Sequence, residues 1–382
     1  MFTKETIRKF EQQQTPFYYY DMALLKATLT ELQDQASPNN FHVHYALKAN
    51  SNPQILKLIQ SFGLGADCVS GNEVKRAVET GYANNKIVFA GVGKSDAEIN
   101  YALDQNILCF NVESMQELEV MNALAKNKNK TASVALRINP NVDAYTHKYI
   151  TTGLEENKFG INPYEFDAVI ELIKKLPNIK LIGLHFHIGS QITDLSPFKK
   201  LCQRVNEINH WFLTKGFDLQ IINVGGGLGI NYKEPETEAI VNFKAFFSVF
   251  KEFLEVRPGQ EVHFELGRAI VAQCGSLISR VLYIKKAINT NFAILDAGMT
   301  ELIRPALYQA YHKIENLSSS GQPSKYDVVG PICESSDCFG KAMELPETQR
   351  GDLIAIRSAG AYGEVMASGY NLREAAPKVF SE

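Results

Sequence analysis

The sequence predicts a (β/α)8 barrel of the TIM type followed by a second, mainly β domain that forms a barrel or a sandwich. Two observations support this fold class. The chain has 382 residues, which is longer than a single hydrophobic core usually organises. Short β-rich runs alternate with longer helical patterns as far as Arg268, whereas beyond it strand patterns follow one another with few helices. Regular alternation is typical of a parallel sheet covered by helices.

Eight strands are predicted in the first part of the chain. Each is a short run of apolar, β-branched or aromatic residues bounded by turn residues. The runs are Val43–Leu47, Ala66–Val69, Lys86–Ala90, Ile107–Val112, Ser133–Asn139, Ile179–Ile188, Gln220–Val224 and Glu261–Leu266. A doubly wound sheet usually has fewer strands, so eight β/α units favour a closed barrel.

Helical patterns separate these strands. Apolar residues recur there at three- and four-residue spacing, in Pro53–Phe62, Gly71–Thr80, Ser95–Asp104, Ser114–Lys126, Pro163–Leu176, Pro197–Thr214 and Glu236–Val256. Ser70, Ser95 and Ser114 are suited to cap three of the helices. The span Pro140–Asn162 outgrows the other barrel loops, and loops of that size are usually functional or mobile.

The second domain is predicted from four strand patterns and one helical pattern. The strands are Ser276–Ile284, Phe292–Asp296, Tyr326–Val329 and Asp352–Ser358, and the helix is Arg304–Lys313. The apolar run from Pro16 to Tyr20 can add an N-terminal strand. We therefore expect an N-terminal strand segment at 1–22 that joins the β domain, a barrel at 23–270 and the β domain itself at 271–382.

The composition excludes several classes of partner. The chain is 45% hydrophobic and 21% charged, with a formal net charge of -3, which is ordinary for a globular protein. This balance predicts no binding to nucleic acid or to an anionic membrane. We find no apolar run of about 18 residues, and the N-terminus lacks the apolar core of a signal peptide. The expected location is the cytoplasm.

The six cysteines are scattered, without any Cys-x-x-Cys pair. In a reducing compartment this spacing predicts free thiols rather than disulfides or a zinc site. Cys333 differs from most of the others because it stands in a polar loop, Gly330–Asp337.

Residues with unusual chemistry follow the predicted barrel strands. The active site of such a barrel is built at the carboxyl ends of its strands, and there the chain places Lys48, Asp67, Ser70, Arg137, Asn139, His187 to Ser190, Gly225 to Gly227, Glu265 and Arg268. A lysine that is partly desolvated at a strand end can attack a carbonyl. We therefore expect Lys48 to hold pyridoxal phosphate as a Schiff base.

The other residues have roles that suit this cofactor. The glycine run Gly225–Gly227 would let backbone N–H groups approach a phosphate, although a tight turn explains such a run equally well. Glu265 could keep the pyridine nitrogen protonated, and its apolar strand makes a surface carboxylate the weaker interpretation. Arg268 and Arg304 suit carboxylate or phosphate recognition, with a structural ion pair as the alternative.

His187 could stack on the cofactor ring or hydrogen-bond near it. A metal site is the competing interpretation, because His185 and His187 are two residues apart. That spacing places both on one face of a strand, but the sequence offers no third ligand, so we expect no metal.

Seven segments occur in an order that closely resembles the diaminopimelate decarboxylase family. They are Tyr45–Asn50, Gly91–Lys94, Lys158–Gly160, His185–Gln191, Gly225–Gly229, Cys333–Asp337 and Gly360–Gly363. The resemblance runs through essentially the whole chain. It implies decarboxylation of meso-diaminopimelate to L-lysine, the last step of lysine biosynthesis, by a pyridoxal-phosphate enzyme with an alanine-racemase-like barrel that works as a head-to-tail homodimer.

By position, the resemblance also implies roles for individual residues. Lys48 would carry the cofactor, His187 would face its ring and Glu265 would pair with its nitrogen. The cofactor would also be bound by Asp67, Ser190, Gly225, Gly226, Gly227, Gly267, Arg268 and Tyr362. Cys333 of the neighbouring subunit would deliver a proton after carbon dioxide leaves. The distal end of the substrate would be held by Arg268, Arg304, Tyr308, Tyr362 and Glu334, the last from the neighbouring subunit.

Related substrates and functions remain as alternatives. Ornithine or lysine decarboxylases typically have aspartate after the cysteine, where this chain has Glu334. Carboxynorspermidine is a further candidate substrate, because Leu266 replaces the family's usual proline and the C-terminal pattern also departs from the family. A racemase should have a tyrosine in place of Cys333, and a non-catalytic pyridoxal-phosphate carrier would not need the complete β domain.

Overall fold

The computed structural model describes residues 2–142 and 158–382. Most of the long span 140–162 therefore lies outside the described residues. The chain divides into two compact units. The barrel unit comprises Thr28–Gly229 and Asn242–Gly267, and the β unit comprises Met1–Ala27, Ile230–Val241 and Arg268–Glu382. The predicted boundaries are 1–22, 23–270 and 271–382. The main difference between them and the two units is that the β unit includes the segment 230–241.

The strands in chain order are β1 (Phe17–Tyr20), β2 (Phe41–Ala46), β3 (Gly65–Cys68), β4 (Ile87–Phe89), β5 (Cys109–Val112), β6 (Ala132–Ile138), β7 (Ile179–Phe186), β8 (Ile221–Asn223), β9 (Glu261–Leu266), β10 (Gly275–Lys286), β11 (Asn291–Leu295), β12 (Ile314–Asn316), β13 (Pro323–Val329), β14 (Cys338–Pro346), β15 (Leu353–Ile356) and β16 (Lys378–Phe380). The helices are α1 (Lys4–Glu11), α2 (Met22–Ala36), α3 (Pro53–Ser61), α4 (Gly71–Thr80), α5 (Asp96–Gln105), α6 (Met115–Asn127), α7 (Phe166–Ile173), α8 (Ser196–Thr214), α9 (Phe243–Phe253), α10 (Arg268–Val271) and α11 (Arg304–Tyr308).

The eight strands β2 to β9 form a closed barrel, and neighbouring strands are parallel throughout. Closure is made by β2 and β9, with His44 opposite Glu265 in the register. The predicted (β/α)8 barrel with a separate, mainly β domain is thus confirmed. Parallel closure brings the carboxyl ends of all eight strands to one mouth.

The predicted serine caps are confirmed. The hydroxyl of Ser70 accepts a hydrogen bond from the backbone N–H of Glu73 at 3.2 Å, and Ser114 caps α6 in the same way. Ser95 and Glu98 form a reciprocal capping box at the start of α5. Each cap satisfies backbone donors that the first helical turn leaves without partners.

The helix predicted at Glu236–Val256 is wrong in its first part, since α9 begins only at Phe243. Asn242 starts it by accepting a hydrogen bond from the N–H of Ala245 at 2.9 Å. Glu236 instead forms ion pairs of 2.8 and 2.7 Å with Lys313 and Arg357 within the β unit. Ion pairs between residues this far apart in sequence hold the segment out of the helix.

Helix α9 supports the site through β9. Its buried residues Phe246, Phe247 and Phe250 all pack on the ring of Phe264, with centroid distances of 5.8, 5.0 and 4.9 Å. Burial of each such ring stabilises the fold by about 1.5–3 kcal/mol. Phe264 immediately precedes Glu265 on β9, so this packing fixes the strand that carries the carboxylate.

The β unit is built on a sheet with the path β12-β15-β10-β11-β13-β14. The predicted N-terminal strand is present, because β1 pairs antiparallel with β10 and parallel with β16. The helix predicted at Arg304–Lys313 ends at Tyr308, since Gln309 has a left-handed backbone (φ 53°) and β12 begins at Ile314. Within the described residues, no helix is both long and apolar enough to span a membrane.

Candidate active site

Lys48 lies in a single helical turn, Leu47–Ala49, that directly follows β2. Its Nζ is 3.6 Å from Oδ2 of Asp67 on β3, and its side chain is 40% exposed whereas that of Asp67 is buried. Burial and the charge of Glu265 raise the pKa of Asp67 to about 7, although Lys48 opposes the shift. The amine therefore has a carboxyl group beside it that can exchange a proton near neutral pH.

Glu265 is a buried carboxylate that faces the barrel interior. Its Oε1 accepts hydrogen bonds from Asn111 on β5 at 3.1 Å and from Asn223 on β8 at 2.8 Å. Its Oε2 accepts one from Nε2 of His185 on β7 at 2.9 Å. Burial alone would raise the pKa of Glu265, but His185 and Lys48 outweigh it, and the pKa lies below the usual carboxylate range. Glu265 is thus held as an anion.

His187 follows β7 at the same mouth of the barrel. The backbone N–H of Gly226 donates to its Nδ1 at 3.4 Å. Burial, followed by the positive charges of Arg137 and Lys48, lowers the pKa of His187 well below its ordinary value. The imidazole is therefore neutral. Ser190 is half-buried in the loop that continues from His187.

Glycine is required at positions 225 and 226 because backbone atoms of neighbouring residues lie where a side chain would begin. A Cβ at Gly225 would lie 2.2 Å from the carbonyl oxygen of Phe186, and one at Gly226 would lie 1.8 Å from that of Glu265. Gly225 and Gly227 also have left-handed backbones, with φ of 71° and 104°. The loop after β8 is therefore packed tightly against its neighbours, and Gly225 donates its N–H to Oδ1 of Asn223 at 2.9 Å.

Arg137 and Glu113 form a buried ion pair of 2.8 Å between β6 and the end of β5. The other carboxylate oxygen of Glu113 accepts the N–H of Gly160 at 3.0 Å. The guanidinium lies over the ring of Phe159, 4.5 Å from its centroid. The Lys158–Gly160 motif is therefore anchored to the barrel wall by a charged pair.

Six predicted site residues lie in the β unit, and four of them, Arg268, Arg304, Tyr308 and Tyr362, lie close together. Arg268 donates to the hydroxyl of Tyr232 at 2.5 Å, and its Cζ lies 4.9 Å from the ring centroid of Tyr362. Arg304 lies over the rings of Tyr232 and Tyr308, at 5.6 and 5.9 Å. The result is a pair of buried guanidinium groups among phenol rings.

The orientation of Arg304 is set by His312. Nδ1 of His312 donates to the backbone oxygen of Arg357 at 2.9 Å, so its Nε2 is free to accept from Nε of Arg304 at 3.3 Å. Burial, and next the charge of Arg268, lower the pKa of Arg304. Arg304 forms no ion pair with any carboxylate of the described residues. Its environment favours an incoming anion.

Cys333 and Glu334 are exposed on a loop that hydrogen bonds to Asp337 hold in place. The carboxylate of buried Asp337 accepts the backbone N–H of Ile332 and of Met299, both at 2.7 Å. The loop is therefore ordered by a buried acid, while the side chains of Cys333 and Glu334 are exposed.

Comparison with known proteins identifies the family of this chain. Residues 23–272 match the family described as "Pyridoxal-dependent decarboxylase, pyridoxal binding domain". A diaminopimelate decarboxylase of Bacteroides thetaiotaomicron is 58% identical over 369 residues, which are 96% of this chain and 96% of that protein. The chain belongs to the pyridoxal-dependent decarboxylases, among the diaminopimelate decarboxylases.

Other members are similar in sequence and in structure. A diaminopimelate decarboxylase of Helicobacter pylori strain J99 is 44% identical across 98% of this chain and 91% of its own. A crystal structure of a mutant diaminopimelate decarboxylase from Helicobacter pylori, complexed with L-lysine, superposes with a TM-score of 0.93. It is 42% identical and covers 98% of this chain and 94% of its own.

The barrel of this decarboxylase fits pyridoxal phosphate. Both oxygens of Asp67 are buried without a hydrogen-bond partner among the described residues, next to the amine that would hold the carbonyl carbon. Glu265 is an anion to which three side chains donate hydrogen bonds, and an anion here suits a protonated pyridine nitrogen. Gly267 lies close to Ala46 and Ala49, where a Cβ would meet their methyl groups at 3.2 and 2.9 Å.

Three residues of this network were not predicted as cofactor residues. His185 was considered only as a metal ligand, and Asn111 and Asn223 were not considered. All three are polar residues in otherwise apolar strands. In a barrel strand the inward positions alternate, and a polar residue at an inward position near the carboxyl end is the signal that could have identified them.

Proposed function

We propose that this chain decarboxylates meso-diaminopimelate to L-lysine with pyridoxal phosphate attached to Lys48. The anionic Glu265, bound by Asn111, His185 and Asn223 in the same barrel as Lys48, is the observation that carries this proposal. The relative with 58% identity is named for this reaction, and the superposed Helicobacter pylori enzyme is complexed with the product, L-lysine.

Pyridoxal phosphate, when bound, supplies a protonated ring that accepts the electron pair left by departing carbon dioxide. Glu265 keeps the proton on the ring nitrogen, because a carboxylate with a lowered pKa stays charged near neutral pH. Ser190, Arg268, Tyr362 and the glycine loop Gly225 to Gly227 surround the phosphate or its edge.

Asp67 and His187 prepare the two sides of the reacting centre. Asp67 accepts a proton from the ammonium of Lys48 and so frees the amine for attack on a carbonyl. His187 offers the ring a neutral imidazole face, which does not compete with Glu265 for the proton on the nitrogen. Both roles follow from the directions of the pKa shifts in the site.

The distal end of the substrate carries a carboxylate and an ammonium, so its site requires a cation and an anion. Arg304, buried among Tyr232 and Tyr308, binds the distal carboxylate, and Arg268 and Tyr362 complete that side. Glu334 binds the distal ammonium. A substrate without the distal carboxylate would leave Arg304 buried and uncompensated, which disfavours ornithine and lysine.

Cys333 and Glu334 act in the site of a neighbouring subunit, in a homodimer. Their exposure on a single chain supports this proposal, as does the rigid anchoring of their loop by Asp337. After carbon dioxide leaves, the thiol of Cys333 gives its proton to the α-carbon.

The cytoplasm is the proposed location, which the six unpaired thiols support, since reducing compartments keep cysteines free.

The decisive experiment measures carbon dioxide release by the purified holoenzyme from diaminopimelate, carboxynorspermidine, ornithine and lysine in parallel. We expect diaminopimelate to be turned over with the highest kcat/KM. Faster release from another substrate would replace the proposed substrate, while cofactor binding without any release would indicate a carrier. Racemisation without release would indicate a racemase.

Subunit mixing tests the shared site. Lys48→Ala chains, which should be inactive, and Cys333→Ala chains, which should have very low activity, should reach about a quarter of wild-type activity when mixed as freely exchanging dimers. In a dimer of one Lys48→Ala chain and one Cys333→Ala chain, one of the two sites contains both intact residues. No recovery, with exchange verified by tagged subunits, would place both residues in the site of one chain.

A further inference from the structure

A second cluster of titratable residues lies at the opposite end of the strands that close the barrel. His42 and His44 are on β2, and Glu261 and His263 are on β9, with His42 opposite His263 in the register. Alternate residues of a strand share a face, so Glu261 and His263 lie on the face of Glu265. That face is the barrel interior, because Glu265 bonds to three other strands.

The hydrogen bonds of the cluster have a forced direction. The backbone oxygen of Lys86 accepts, so Nδ1 of His44 donates to it at 3.0 Å. Nε2 of neutral His44 then accepts from Nδ1 of His263 at 2.8 Å. The lone pair of Nε2 on His263 is left facing Oε2 of Glu261 at 3.1 Å. Nε2 of His263 and Oε2 of Glu261 are therefore two potential ligand atoms in contact.

A third ring nitrogen lies at the same place. Nε2 of His42 is buried and has no hydrogen-bond partner among the described residues. The candidate ligand atoms of His42, Glu261 and His263 all lie within 4.8 Å of one another. Three atoms that can each bind a metal ion therefore converge on one place, which is the arrangement that a cation requires.

A metal ion at this place would contact all three side chains, and it would also neutralise the carboxylate of Glu261.

We propose that His42 Nε2, Glu261 Oε2 and His263 Nε2 bind one divalent transition-metal ion of the Zn²⁺ class. Two imidazoles and a carboxylate are a ligand set that Zn²⁺ accepts, with water in the fourth position. The 3.1 Å contact between Glu261 and His263 already matches the edge of about 3.3 Å that a tetrahedron of ligands at zinc distances has. A cavity of about 280 Å³, lined by His42, Glu261 and His263, has room for the water.

The ion would be structural. It joins β2 to β9, the strand pair that closes the barrel, at the end where such barrels place residues for stability rather than catalysis. A ligand that binds only the folded chain stabilises it by mass action. We therefore expect the metal to raise thermal stability while the carboxyl-end active site keeps its cofactor in either state.

The test uses the holoenzyme after removal of metals with a chelator. Zn²⁺ is titrated by calorimetry and Co²⁺ by visible absorbance, and thermal unfolding is followed with and without the ion. We expect one ion per chain, tetrahedral Co²⁺ bands and a higher Tm. His42→Ala and Glu261→Gln should each weaken Zn²⁺ binding at least about 10-fold.

His210→Ala is the matched control, because His210 is an exposed histidine on α8 outside the cluster, and it should bind the ion as wild type does. The absence of stoichiometric binding to wild type would overturn the proposal and assign the cluster to a bound proton. Equal Zn²⁺ binding by wild type, His42→Ala and Glu261→Gln would also overturn the proposal, because the ion would then bind adventitiously elsewhere. Glu261→Gln keeps the shape of an exposed side chain, so it remains informative if His42→Ala fails to fold.

Discussion

Asn111→Asp tests whether the charge of Glu265 depends on its neutral donors. The substitution keeps the size of the side chain but replaces the amide N–H₂ that donates to Glu265 Oε1 at 3.1 Å by a carboxylate oxygen. A hydrogen bond to a buried charged group contributes about 1.5–3 kcal/mol. Its loss should lower the Tm of the apoprotein by about 3–12 °C, since 1 kcal/mol corresponds to about 2–4 °C in a domain of 150–250 residues.

The new carboxylate should also change the pH dependence of activity. Two buried carboxylates in contact do not both ionise, so the pair holds a proton to higher pH. Glu265 is then less often the anion that the ring nitrogen requires. We expect the acidic limb of the kcat/KM profile to move to higher pH, with weaker cofactor binding at neutral pH. Both are measured on purified protein by steady-state kinetics and cofactor titration.

A second substitution separates stability from chemistry. In Asn111→Asp with Glu265→Gln, the new amide can donate to the new carboxylate, so Tm should recover while activity does not. Asn209→Asp is the control for a buried Asn-to-Asp change, because Asn209 bonds to Gln260 and not to Glu265. An unaltered pH profile in Asn111→Asp, or one that Asn209→Asp reproduces, would refute the reasoning.

Three further predictions concern other residues. Lys48→Ala should abolish activity and the visible absorbance of the cofactor bound to the lysine, and persistence of that absorbance would refute the attachment to Lys48. Cys333→Ala should lower turnover about 100-fold or more while leaving the absorbance intact; a loss of cofactor instead would contradict its role as proton donor. The pKa of Asp67 is raised from 3.8 to about 7, so its carboxyl favours the folded state below pH 4 and loses that contribution as pH rises to 7. Asp67→Asn apoprotein should therefore match wild type in Tm near pH 4 and be more stable at pH 8, by up to about 4 kcal/mol, and parallel Tm profiles would contradict this.

Local patterns were sufficient to predict the barrel. Its strands differ from the predicted runs by only a few residues at each end, because apolar runs and turn residues act over short distances. The capping serines were predicted for the same reason, since Ser95 and Glu98 are three residues apart. Helix α9 was predicted too long because its apparent first turns contain Glu236, whose partners Lys313 and Arg357 are distant in sequence.

The site could be predicted in position but not in its hydrogen bonds. Lys48 and Glu265 each follow or end a recognisable strand, so the barrel topology alone brings them to one mouth. Whether Glu265 is charged depends on Asn111 and Asn223, which reach it from β5 and β8. The spacing of residues in the sequence does not show that side chains of three strands donate hydrogen bonds to the carboxylate of Glu265. Only the closed barrel shows it.

The proposed cofactor site and the proposed metal site depend on the same strand pair. Lys48 follows β2 and Glu265 lies on β9, while His42 and His263 face each other across the same pair nearer its amino end. A shift of this pairing by one residue would turn one strand's inward side chains outward, removing Glu265 from the barrel interior together with Glu261 and His263. An ion that ties His42 to His263 would oppose that shift. The register that orients Glu265 against Lys48 would then be held from the other end of the barrel.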